Sequence, residues 1–197
     1  MKTASKREQN RQREQRKKKQ TYAVIGVAAL VVVGVITAIL WQSAKTQPVG
    51  EAVSVPPDYI NHVAVGTPLS YPSDPPAGGP HYGNTFERGF YDETSLPNQP
   101  GDPQGYLVHN LEHGYVIFWY NCAKLDENAC KDLKTGIKTL MDSKNNNKLI
   151  AFPWKSIDSP LVMTSWGRLQ RFDKFDERLA RAFIDANLNK SPEPDAQ

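Results

Sequence analysis

All four histidines of the chain, His62, His81, His109 and His113, fall within 52 of its 197 residues. Histidines of an ordinary solvated surface would scatter over a whole domain, and neutral imidazole is the commonest ligand for transition metals. The densest piece is His109-Asn110-Leu111-Glu112-His113-Gly114. Two imidazoles four residues apart converge on one ion if the backbone turns like a helix, where they lie about 6 Å apart. On a straight strand they would be about 13 Å apart. Gly114 tolerates a positive φ, so the spacing predicts a tight turn over 109–114 that gathers the imidazoles. The order is not H-E-x-x-H, which leaves the metalloprotease arrangement unsupported. Glu112 stands between the histidines and is expected to orient a ligand imidazole by accepting from its other ring nitrogen.

His81 follows Pro75-Pro76-Ala77-Gly78-Gly79-Pro80, a stiff, bent loop that would hold it in place. It is the expected third ligand beside His109 and His113. The competing reading is a histidine bonded to backbone carbonyls. His62 is a further candidate. Met163 would add a thioether, and soft ligands select Cu(I), so copper is expected ahead of zinc. The bland reading of Met163 is a core residue. Zinc on three histidines with an open position is the alternative metal.

Other chemistry is thin. G-x-S-x-G, P-loop and Rossmann glycine patterns are missing, and no catalytic residue is singled out. Glu87, Asp92, Glu93 and Asp102 read as solvated loop charges. A hydrolase using histidine and glutamate as acid and base is a minor reading. The main rival to metal binding is a structural or interaction module of a membrane complex, with the histidines in a polar network.

The elements that must position these residues begin with a membrane anchor. Tyr22–Trp41 is twenty residues without a charge, long enough to span roughly 30 Å as a helix, and is bracketed by interfacial aromatics. Residues 1–20 carry nine Lys or Arg and two Glu, +7, which leaves the rest of the chain at −4. Positive charge flanking a membrane helix stays on the cytoplasmic side. The expectation is a basic cytoplasmic tail over 1–20, a transmembrane helix over 21–41, a linker over 42–55, an extracytoplasmic domain over 56–189 and a disordered tail over 190–197. That makes a single-pass plasma-membrane protein with its C-terminal domain outside. A signal peptide would have a shorter apolar stretch and a better cleavage site than Gln42-Ser43-Ala44-Lys45. The basic tail has no aromatic residue to stack on a base, so nucleic acid is not an expected partner.

Both cysteines, Cys122 and Cys130, fall outside the membrane on this topology. Disulfides persist there, and the spacing is not C-x-x-C, so a structural disulfide is expected. Eleven of fifteen prolines lie between Pro48 and Pro103, which excludes long helices and central strands from that half. Tyr59, Ile60, Val63, Tyr71, Tyr82, Phe86, Phe90 and Tyr91 argue that it wraps onto a core. Beyond it, the periodicity predicts strands over 115–120 and 149–154, one strand within 161–172, and helices over 126–143 and 173–187. Phe175, Leu179, Phe183 and Ala186 would form the buried face of the last helix, capped by Asp173. The fold class is α+β, a two-layer domain with a small mixed sheet.

These residues carry a resemblance. Tyr71, the Pro75–Tyr82 run, Gly89-Phe90-Tyr91, Leu107–Gly114 with its HNLEHG hexapeptide, and Thr164-Ser165-Trp166-Gly167-Arg168 together resemble the DUF3105 family. The resemblance covers about residues 55–188 and implies a membrane-anchored domain of unassigned function with all four histidines at motif positions. At Ala77 and Gly78 the chain departs from the family's usual Thr and Ser.

Overall fold

The structure is a computed structural model that describes residues 6–45, 49–55 and 61–196. The chain divides into two units, Met1–Thr46 and Gln47–Gln197. The first is a single helix, α1 (Lys6–Lys45), so the described part of the basic tail continues into the apolar stretch without a break. Among the described residues, this is the one helix long and apolar enough to cross a membrane, with a mean hydropathy of 2.0 between Arg13 and Thr37. Tyr22, at the start of the uncharged stretch, is exposed. The side chain of Trp41, its expected partner at the far end, lies outside the described residues.

The second unit is built on a six-stranded mixed sheet. Its strands are β1 (Glu51–Ala52), β4 (Gly89–Phe90), β5 (Val116–Tyr120), β6 (Leu149–Pro153), β7 (Leu161–Ser165) and β8 (Arg168–Phe172), in the order β1-β8-β7-β5-β6-β4. A separate parallel pair joins β2 (His62–Val63) to β3 (His81–Tyr82). β5 runs parallel to β6 and antiparallel to β7. Side chains alternate between the faces of a strand, and β5 shows the result. Val116, Phe118 and Tyr120 enter one apolar cluster with α3 (Glu127–Ser143) and α4 (Glu177–Asn187). Ile117 and Trp119 enter another with Tyr82, Phe86 and the helix α2 (Pro103–Glu112). Apolar clusters thus form on both faces of the sheet, where two layers were expected.

Several expectations change on the structure. The single strand expected within 161–172 is an antiparallel hairpin of β7 and β8 that turns at Trp166-Gly167. The last helix starts later, because Asp176, not Asp173, accepts the Leu179 N–H at 2.9 Å as the cap. The buried face shifts with it to Ala180, Phe183, Ile184 and Ala186, while Leu179 is exposed. Asp126 caps α3 by accepting from the Ala129 N–H at 2.8 Å. After that helix the chain turns through Asn145 and Asn146 at positive φ, which asparagine tolerates.

Cys122 and Cys130 are joined by a disulfide. Tyr82 and Phe86 of the proline-rich half are buried, and Phe86 stacks on Tyr106 with ring centroids 4.9 Å apart. Tyr59 and Ile60 of that half lie outside the described residues.

Candidate metal centre

The HNLEHG hexapeptide is not a free-standing turn. Its first four residues end α2, which is capped by Asp102, whose side chain accepts the Gln104 N–H at 2.9 Å, with Pro103 at the first helical position. His109 and Glu112 are three residues apart on this helix and share a face. The helix stops at His113, and Gly114 follows at φ 84°. A Cβ there would lie 2.7 Å from the Asn189 Cα, so both the reversal and the close passage of the chain need glycine.

Two other segments complete the arrangement. His62 and His81 are register partners across the parallel β2–β3 pair, which sets their rings side by side at 5.1 Å. Gly79, at φ 136°, ends the loop so that its carbonyl accepts from His81 Nδ1 at 2.8 Å. The same loop is tied to the β7–β8 turn, where Gly167 N–H donates to the Ala77 carbonyl at 2.6 Å. Asn110 holds the strip after β3 by a pair of bonds, accepting the Phe86 N–H at 3.0 Å and donating to its carbonyl at 2.9 Å.

The nitrogens of His62, His81 and His109 and a carboxylate oxygen of Glu112 all lie within 4.8 Å of one another. Glu112 Oε2 is the hub, 2.9 Å from His81 Nε2, 3.7 Å from His62 Nε2 and 3.9 Å from His109 Nε2. Ligands of a tetrahedral ion with bonds near 2.1 Å are about 3.4 Å apart, so these distances fit one ion after small side-chain shifts. His81, His109 and Glu112 are buried, while the His62 side chain is half exposed.

Hydrogen bonding sharpens the chemistry. A carbonyl oxygen can only accept, so His81 Nδ1 carries the proton it donates to Gly79. Its Nε2 then faces a carboxylate oxygen at 2.9 Å. Two lone pairs do not stand so close unless a proton or a cation lies between them. A histidine donating one ring nitrogen to a backbone carbonyl is also the usual pose of a metal ligand. Burial, together with the neighbouring His113, His81 and His62, pushes the His109 imidazole down to about 4, and the Asn84 backbone offsets this only in part. His109 is therefore neutral near pH 7, as a ligand must be.

The arrangement differs from the expected one at three residues. His113 does not join His81 and His109 around the hub. Its ring lies 4.4 Å from that of His109, but its Nε2 turns to Glu193 at 3.8 Å. Glu112 was expected to orient a ligand from behind, and it instead presents its own oxygen to three imidazoles. Met163 is buried in the cluster that packs on α3 and α4, whereas His109 and Glu112 belong to α2, over the other face. Strand alternation separates them: Val162, next to Met163 on β7, joins the α2 side. Glu112 was legible as a donor from its spacing to His109 once α2 is recognised. Glu193 carries no such signal.

Residues 62–197 match the family described as "Protein of unknown function (DUF3105)", and the chain belongs to that family. No curated protein and no solved structure matches it.

Proposed function

We propose that the second unit binds a divalent transition-metal ion through His62, His81, His109 and Glu112. The observation that supports this best is the approach of His81 Nε2 to Glu112 Oε2, two buried atoms that need a proton or a metal cation between them. The Glu112 carboxylate is almost fully buried, and its Oε1 finds no hydrogen-bond partner. A buried carboxylate in that state is costly unless a cation offsets it.

Copper was expected ahead of zinc because of Met163, and with Met163 on the other face that reason lapses. Three imidazoles and a carboxylate suit Zn²⁺ as they stand. The same set would hold Cu²⁺ more tightly where copper is supplied, following the general affinity order. In this reading α1 anchors the chain in the plasma membrane, its basic end in the cytoplasm and the metal domain outside. The role is metal binding or handling on the outer face, without catalysis.

The test uses the full chain purified in detergent, stripped with chelator, dialysed against Zn²⁺ or Cu²⁺ and gel-filtered before elemental analysis. At least one ion per chain should be retained, and His62→Ala and Glu112→Gln should each lower that retention. A folded wild-type chain that retains none would overturn the proposal in favour of a structural or interaction module.

A further inference from the structure

Glu112 has two oxygens, and the site above uses only Oε2. Oε1 is buried and has no hydrogen-bond partner. An unsatisfied buried carboxylate oxygen loses its hydration without compensation, so it calls for an explanation. A second donor group meets the same carboxylate: Glu112, His113 and Glu193 each bring one ligand atom within 4.8 Å of the others.

Glu193 does not arrive there as a drifting surface charge. Part of the 190–197 stretch, expected as a disordered tail, lies against the end of α2. The Glu193 N–H donates to the Glu112 carbonyl at 3.1 Å. Lys148 Nζ donates to the carbonyls of His113 and Pro194, at 2.9 and 2.6 Å, and so ties the two segments together. Just upstream, Asn189 N–H donates to the Gly114 carbonyl at 2.9 Å. Bonds to the backbone on both sides of Glu193 therefore hold this segment against the end of α2, with Glu193 Oε2 3.8 Å from His113 Nε2.

We infer that this is a second metal site and that Glu112 bridges two cations, giving Oε2 to the ion of His62, His81 and His109 and Oε1 to one held by His113 and Glu193. The inference rests on the metal-binding reading of the first site. It gives a reason for His113 Nε2 to face Glu193 at 3.8 Å while its ring stays 4.4 Å from that of His109. It also relieves the repulsion between two neighbouring carboxylates. The donor set of one imidazole and two carboxylates suits a divalent ion such as Zn²⁺ or Mn²⁺ with water in the remaining positions. Because the Glu193 side chain is 58% exposed, this ion is the more weakly held and more quickly exchanged of the two.

The experiment counts ions on the full chain in detergent, titrated with Zn²⁺ after chelator treatment. The wild type should bind two ions per chain of unequal affinity. Glu193→Gln, a change at an exposed side chain, should leave only the tight one, and His113→Gln should do the same. Loading with Cu²⁺ instead should give a spin-coupled electron paramagnetic resonance signal in the wild type and an isolated Cu²⁺ signal in Glu193→Gln. One ion in the wild type, weakened by His62→Ala and unchanged by Glu193→Gln, would overturn the second site and leave the first standing. No ion at all would overturn both. Two ions with no magnetic coupling would overturn the shared Glu112.

Discussion

His81 Nε2 and Glu112 Oε2 stand 2.9 Å apart, one side chain fully buried and the other 1% exposed. Glu112→Gln keeps the shape of this pair and removes the charge. The new amide can donate to His81 Nε2, so the metal-free protein should melt at the same temperature or higher. The rise in melting temperature on adding Zn²⁺ should shrink or vanish, since binding to the folded state is what produces it. A variant that keeps the full Zn²⁺ shift would show that Glu112 is no ligand.

The metal-free domain should weaken in mild acid. Unfolded, His109 titrates near its ordinary 6.5, and folded it is held down to about 4. Above 6.5 both states are neutral and the group is silent. As pH falls below 6.5 the unfolded state takes up the proton first, so stability declines until about pH 4. The loss is at most about 3 kcal/mol from this group. Urea unfolding at pH 7, 5.5 and 4 measures it, and His109→Gln should flatten that part of the profile. An unchanged slope in the variant would assign the acid sensitivity elsewhere.

Cys122 packs against the cluster under α3 and α4, apart from the α2 helix that carries His109 and Glu112. Replacing both cysteines by serine removes a short covalent loop and should cost about 2–3 kcal/mol. Metal retention at a temperature where the variant is folded should match the wild type. If metal is lost with the disulfide while the fold is kept, the two halves of the domain are coupled more closely than the clusters indicate.

Gly114→Ala should cost at least about 1–2 kcal/mol, because the residue sits at positive φ with the Asn189 backbone against it. It should also weaken metal retention, since the same backbone fixes where α2 ends. Thermal melts with and without Zn²⁺ separate the two effects. A wild-type melting temperature in the variant would show that the crossing with Asn189 is not maintained in solution.

The topology can be read with protease. In right-side-out vesicles holding the full chain, added protease should digest the second unit and spare the basic end. In inverted vesicles the pattern should reverse. A chain released from membranes by carbonate would show that α1 does not span the bilayer.

Much of this was readable from residue types. The aromatic run Tyr115–Tyr120 and the stripe of Leu133, Ile137 and Leu140 gave β5 and α3 their places, because burial of one face dominates such segments. The helix α2 is harder to read: Asp102-Pro103 is a start signal, but the His109–Gly114 end fits a free-standing turn equally well. Met163 looked like a donor by type, but strand alternation decides its face, and one residue's shift in register reverses that. Glu193 was out of reach, because its position depends on the tail folding back to α2 and Lys148, a pairing between segments far apart in the chain.

His62 sits at the rim on β2, a strand of only two residues paired with β3 alone. Opening so short a ladder is far easier than disturbing α2, so release of a bound ion would be governed by this doorway. Residence time and equilibrium affinity then become separable properties. On the proposed function, changes beside His62 would speed or slow exchange of a bound ion, while the deeper His81 and Glu112 would set how strongly it is captured.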